Sequence, residues 1–289
     1  MGLKINVVLT CHNRVEKTVE CIQTILVSAG DKYFLNFFIC DDGSTDNTSN
    51  RVLEIFPRAH IIYGNGKLFW AKGMYLAMAE AKKVYCDYYL MVNDDVKFYP
   101  NMLECMLNTY TYGKKEIKAV TGAVKDEFSN AYTYGGIIEK RKYFKINACN
   151  VLPSSPPSLC DKANWNCFLI SKKNYESIGD IDNFYAHGFA DYDYSYRIYK
   201  NGGEILVSTE YVGTCSRNED KNTWRDKTLS MLKRLKLLNQ PTGFPLKSAI
   251  HYYWKTDKVF FLIDIFVPYL IIFRDKFQKM IKHKNILLS

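Results

Sequence analysis

Three clusters of carboxylates carry the chemistry this sequence could perform. The first is DDGSTDNT, where Asp41 and Asp42 close an apolar run. Such acids can accept hydrogen bonds from a nucleobase N–H or from ribose hydroxyls. A plain turn with a helix cap would need only one of them. The second cluster is Asn93-Asp94-Asp95. Closely spaced carboxylates form a hard oxygen site suited to Mn²⁺ or Mg²⁺ held together with a diphosphate. Two surface acids at a strand end would look the same. The third is ADYDYSYR, which places Asp191 and Asp193 two apart on a helical stretch. Residues two apart do not share a helix face, so one can meet a cleft while Asp193 pairs with Arg197, four residues on. A simple surface ion pair is the alternative.

These clusters need elements to hold them. KINVVLT (4–10), FLNFFIC (34–40), HIIYG (60–64) and YYLMVN (88–93) are short apolar runs with the character of buried strands. Between them, 14–29, Ser44–Ile55 and Gly73–Val84 have helical spacing, the second with Ser or Asp as its N-cap. Strands alternating with helices predict an α/β fold with a mostly parallel central sheet flanked by helices. In such sheets ligands bind beyond the carboxyl ends of the strands. TCHNR, DDGSTD, GNGK and NDDV follow the four strands in turn, so all four converge on one rim. Further on, KAVTGAV (118–124) and AYTYGGII (131–138) read as strands, and VLPSSPPSLC (151–160) as a mobile loop. NWNCFLIS (164–171) reads as a short buried run, and FADYDYSYRIYKNGG (189–203) as a helix closed by glycines.

The order and spacing of the three acid clusters resemble the family 2 glycosyltransferases of the GT-A fold, over roughly residues 4–205. GNGKLFWAKGM with YLMVNDDV is similar to a bacterial subgroup associated with rhamnosyl or related surface-polysaccharide transfer. The resemblance implies roles. Thr10, His12, Asn13 and Arg14 would line the nucleotide pocket, joined by Asn65 and Gly66 from GNGK. Asp42, with Asp41 beside it, would read the base. Asn93 and Asp94 would contact the donor, and Asp95 would bind Mn²⁺ or Mg²⁺. Asp191 would be the catalytic base, and Lys72 would face the diphosphate. Asn93 replaces the first acid of the family's D-x-D motif, and Ala190 replaces the Glu of its E-D pair. The implied reaction is inverting transfer from a UDP- or dTDP-sugar to a hydroxyl of a glycan or polyprenyl-linked acceptor. A sugar-nucleotide pyrophosphorylase would want a glycine-rich loop after the first strand, and TCHNR has none. No G-x-G-x-x-G follows that strand either, which excludes a dehydrogenase of the NAD type. A nucleotide-sugar or glycan-binding protein without catalysis would lack the reason to keep both Asp95 and Asp191.

Composition narrows the rest. The 22 Tyr and 17 Phe serve a core or a sugar-stacking surface, with Trp70, Trp165, Phe189 and Tyr192 as the candidate acceptor platform. Nine cysteines without a C-x-x-C pair point to reduced thiols and a cytoplasmic setting. The net charge of +9 is concentrated: residues 221–289 hold 14 Lys/Arg against four acids, and the remainder is −1. That excludes a uniformly basic nucleic-acid binder. The expected division is a catalytic domain at 1–220 and a helical, basic, amphipathic region at 221–289. In that region VFFLIDIFVPYLIIF (259–273) is shorter than the about 20 apolar residues a spanning helix needs. It suits an anionic membrane interface at the inner face of the cell membrane. Packing on the catalytic domain or on a second copy, giving a homo-oligomer, is the alternative.

Overall fold

The structure is a computed structural model and describes residues 2–142 and 145–287. The chain divides into two units, one of residues 1–186 and 190–217, the other of 187–189 and 218–289.

The first unit opens with β1 (Lys4–Cys11), α1 (Val15–Ala29), β2 (Phe34–Asp41), α2 (Thr48–Ile55), β3 (His60–Tyr63), α3 (Phe69–Ala81) and β4 (Tyr88–Val92). β3, β2, β1 and β4 lie side by side and all pair in parallel. β1 and β4 in the middle are buried on both faces, which is why β1 reads as an unbroken apolar run, while the edge strand β3 is partly exposed. Alternate residues serve opposite faces. Ile5, Val7 and Leu9 pack in one core with Cys21, Ile22 and Ile25 of α1. Asn6, on the other face, donates to the carbonyls of Ala81 and Val84 (both 2.9 Å) and accepts from Asn36 (2.9 Å). It thus ties β1 to the turn that follows α3.

β5 (Lys97–Phe98), α4 (Met102–Thr111), β6 (Lys118–Lys125) and β7 (Tyr132–Tyr134) follow. A small sheet comes next, of β8 (Gly136–Lys142), β9 (Lys145–Val151) and β10 (Lys162–Ala163), in the order β10-β8-β9. Cys149, on the outer strand β9, is the exposed thiol; the other eight cysteines are buried. β11 (Cys167–Ser171) lies antiparallel between β4 and β6. α5 (Lys172–Ile178), α6 (Ala190–Lys200) and β12 (Glu204–Thr214), parallel to β6, complete the unit. The antiparallel β11 brings its amino end to the rim where β1, β4, β6 and β12 present their carboxyl ends. The 151–160 loop is fastened at its far end by Val207 N–H to Ser158 O (2.9 Å) and Cys160 N–H to Ile205 O (3.0 Å).

Two helix starts differ from the sequence reading. α2 begins at Thr48 rather than Ser44, after a left-handed Asn47 that caps through no side chain. α3 begins at Phe69 rather than Gly73.

The second unit holds α7 (Met231–Leu238), α8 (Leu246–Thr256) and α9 (Phe261–Leu287). Trp224, Leu238 and Ile272 form its core beside a buried ion pair, Arg234 to Asp275 at 3.0 Å. No helix among the described residues is long and apolar enough to cross a membrane. The side chains of Lys279, Met280 and 282–287, part of the basic run, lie outside the described residues.

Candidate active site

The loop after β1 is stitched to the loop after β2. Asn13 takes a left-handed conformation (φ 51°), so its backbone N–H donates to Ser44 Oγ (2.9 Å) while its side-chain oxygen accepts from Thr45 N–H (2.8 Å). His12 Nδ1 meets the carbonyl of Asp42 at 2.6 Å. A carbonyl only accepts, so Nδ1 carries the proton, and Nε2 accepts from the Asn13 amide (3.2 Å). Thr10 is held beneath α3, its hydroxyl donating to Cys40 O (2.9 Å).

Asp41 and Asp42 are both buried. Asp41 accepts from Ser44 N–H (2.8 Å) and from the Ser49 hydroxyl. It borders a cavity of about 340 Å³ lined also by Ser44, Thr48, Ser49 and Tyr63. Asp42 differs from the expected base reader. Its Oδ1 accepts from Gly66 N–H (2.8 Å), and its Oδ2 from Leu68 and Phe69 N–H (2.9 and 3.0 Å). Both oxygens accept from the GNGKLF loop, so this carboxylate clamps the loop. Gly64 is required beside it, because a Cβ there would stand 2.5 Å from Asp42 Oδ1. Asn65 turns its side chain back on Lys67 N–H (3.0 Å), and Lys72 is exposed on the first turn of α3.

Beyond β4, the Asn93 side chain accepts from the Trp70 indole (2.8 Å), tying α3 to the acid cluster. Asp94 is buried and accepts from Thr18 (3.3 Å). Burial pushes its carboxyl up to about 6; the Arg14 charge opposes the rise and neighbouring Asp95 adds to it. Arg14 spans both acids, 3.3 Å from Asp94 and 3.0 Å from Asp95. The side chain of Asp95 is 14% exposed, and its other oxygen accepts from the Cys215 thiol at 3.7 Å.

On α6, Asp193 is fully buried. It accepts from Arg197 Nε (3.1 Å) and Tyr185 (3.2 Å), while Arg197 also donates to the carbonyls of Ile178 and Asp180. This network pins α6 in place. Asp191, two residues earlier, is only half-buried and accepts from Tyr192 N–H (2.9 Å). Burial raises its carboxyl to about 6, against hydrogen bonds from the Tyr192 backbone and the Asn164 amide and against the charge of Lys162.

One short segment joins the two acid sites. The Asn166 carbonyl accepts from Asn93 N–H (3.3 Å), and the Asn166 amide approaches the Cys215 sulfur at 3.9 Å. Two residues earlier, the Asn164 amide donates to the Tyr192 hydroxyl (3.2 Å) and to Asp191. Two steps of extended chain span about 7 Å. Asn164, Asn166 and Cys215 went unread in the sequence, where the paired asparagines of NWN were the available signal. The aromatic platform is revised. Trp165 is 1% exposed and stacked on Phe168 (centroids 5.2 Å), so it is core and offers no face to an acceptor. Phe189 packs against Phe244 and Tyr252 (both 5.2 Å) within the second unit. Trp70 and Tyr192 keep partial exposure.

For a divalent ion, the described residues bring together no group of three or more His, Cys, Asp or Glu side chains. A closed protein cage is therefore not what they offer. Asp94 and Asp95, which share Arg14 as their ion-pair partner, fit the way Mg²⁺-like ions are held, with one or two carboxylates and the rest from substrate phosphates and water.

The mixed α/β fold, with its loops gathered on one rim of the central sheet, is that of GT-A glycosyltransferases. The model of "Glycosyl transferase family 2" matches residues 6–163, and the chain belongs to that family. Protein CgeD of Bacillus subtilis (strain 168) is 23% identical over 166 residues, 53% of this chain and 38% of that protein. Among solved structures, GalNAc-T7 with UDP, GalNAc and Mn²⁺ superposes with a TM-score of 0.61 at 13% identity, over 82% of this chain and 48% of that one. The mannosyltransferase PcManGT from Pyrobaculum calidifontis, in complex with GDP-Man and Mn²⁺, gives 0.54 at 13% identity, over 92% and 70%. The chain thus spans under half the length of CgeD and of GalNAc-T7.

Proposed function

We propose that this chain is an inverting, metal-dependent glycosyltransferase. It would move a sugar from a nucleotide-diphosphate donor, UDP- or dTDP-linked, to a hydroxyl of a glycan or polyprenyl-linked acceptor. Synthesis of a surface polysaccharide at the cytoplasmic face of a membrane is the setting. The observation that carries the reading is Asp191: a half-buried carboxyl held near pH 6 and joined through Asn164–Asn166 to the Asp94–Asp95 pair.

The nucleotide lies on the rim, with the hydroxyl-lined cavity beside Asp41 taking its base or ribose and Arg14 supplying a cation toward the diphosphate. Asp95 would hold the divalent ion, which when bound neutralises charge on the departing diphosphate. Asp191 accepts the acceptor's hydroxyl proton as that oxygen attacks the anomeric carbon. The bond from that carbon to the phosphate oxygen breaks, and the configuration inverts.

The test is release of UDP or dTDP from nucleotide sugars with Mn²⁺, with and without a chelator. Asp95→Ala is expected to abolish release and to weaken Mn²⁺-dependent nucleotide binding, since a methyl group cannot ligate a hard cation. Wild-type activity undiminished by chelation would remove the metal from the reading.

A further inference from the structure

The helix α9 is apolar on two opposite faces. One face carries Ile265, Pro268 and Ile272, buried in the second unit. The other carries Leu262, Phe266, Leu270, Phe273, Phe277 and Ile281, each at least 49% exposed. At 3.6 residues per turn, these six fall within a sector of about 100°, and from first to last they run about 28 Å along the helix. A helix apolar all round is ordinarily buried on all sides. Here the second stripe is bare among the described residues.

The charges on α9 are sorted around that stripe. Its two acids, Asp264 and Asp275, lie on the buried face; Asp275 is paired with Arg234 and also with Arg274 (3.3 Å), whose side chain stays 60% exposed. Its exposed cations, Arg274 and Lys276, flank the apolar stripe on either side when placed on the same helical wheel. Lys258 is exposed just before the helix begins. The exposed surface of α9 is therefore a hydrophobic strip with cationic borders and no described acid.

We propose that this strip is the surface by which the protein lies flat on an anionic lipid bilayer. The helix would sit in the membrane plane, with the phenylalanines and leucines among the upper acyl chains and the cations at the lipid phosphates. A second protein copy would bury the apolar strip equally well. It would, however, bring Arg274 and Lys276 against their own counterparts, whereas an anionic surface complements them. The chain's charge distribution points the same way, since residues 221–289 carry all of the net positive charge. Such a helix binds through apolar burial and headgroup attraction together. The inference deepens the membrane setting proposed above and does not depend on which sugar is moved.

The test is flotation of the full chain with vesicles of phosphatidylglycerol and phosphatidylcholine, against vesicles of phosphatidylcholine alone. The wild type is expected to float at low salt with the anionic vesicles and at least tenfold less with the neutral ones. A Phe266→Glu/Phe273→Glu/Phe277→Glu variant changes only exposed positions, and circular dichroism checks that it remains folded. It is expected to lose flotation at least tenfold while donor cleavage with Mn²⁺ is unchanged. Arg274→Gln/Lys276→Gln should keep partial binding and flatten its salt dependence. Three results would overturn the proposal: no flotation of the wild type at low salt, equal flotation of the Glu variant, or a wild-type dimer by light scattering that the Glu variant dissolves. Failure of donor cleavage with flotation intact would instead refute the catalytic reading and leave the surface standing.

Discussion

Asp191 and Asp94 are two carboxyls that burial holds up to about 6. A general base works ionised. Turnover should therefore be flat above about pH 6 and fall about tenfold per unit below it. Both acids titrate in that window, so variants must separate them. Asp94→Asn is expected to keep the acid limb of the pH–rate profile, and Asp191→Asn to cut turnover by about 10²-fold or more. Nucleotide affinity, measured by calorimetry, should stay within a few-fold in Asp191→Asn because the amide preserves the shape. A damaging Asp193→Asn alongside a mild Asp191→Asn would assign the base to the wrong carboxyl. The different surroundings of Asp191 and Asp193, and the Asp193–Arg197 pair, were legible from their spacing, since residues two apart on a helix face different ways and Arg197 waits four residues on. The work of Asp42 was not. A DD pair after a strand looks the same whether its oxygens meet a ligand or three backbone N–H groups.

At the scale of elements, the four parallel strands could be read because each is a short apolar run, the central ones covered on both faces. The start of α3 could not be. Sequence signals for a helix start are local side-chain caps, and α3 has none. Its leading N–H groups, on Leu68 and Phe69, are satisfied by Asp42, which lies 26 residues before Leu68 and at the end of another strand. The start of α2 was misplaced for a related reason, because the polar residues of DDGSTDNT are spent on Asn13 and Val15 across the rim. The antiparallel β11 left no mark either, since NWNCFLIS is apolar in the same way as its parallel neighbours. The clamp has a measurable value. Asp42→Ala would strand three backbone donors that now meet a charged acceptor. The expected loss is about 3 kcal/mol or more in urea unfolding, with a higher Michaelis constant for the donor because the Asn65–Phe69 loop is released. Unchanged stability would mean that the loop holds itself.

Over the whole molecule, each unit has its own core, and charge is divided unequally between the two parts of the sequence. The core of the second unit depends on a buried ion pair. Arg234 and Asp275 are each 4% exposed, and Arg234 also donates to the Trp224 carbonyl (2.7 Å). Asp275 also meets Arg274 at 3.3 Å, so removing Arg234 leaves it a weaker, more exposed partner and should cost less than the about 3–5 kcal/mol of a fully broken buried pair. Arg234→Ala should therefore lower one thermal transition in scanning calorimetry and leave unmoved the one that nucleotide raises. A single transition shifted as a whole would show the units unfolding together. The distribution of thiols has a practical side. Burial withdraws eight of the nine from reagents and pushes several, such as Cys86 at about 11 and Cys40 at about 12, far from the reactive thiolate form. Cys149 alone stands in the open, on the outermost strand of the small sheet. A maleimide dye added to the native, unmutated chain would attach at that one address, giving a ready-made optical reporter for any rearrangement of the hairpin when substrates arrive.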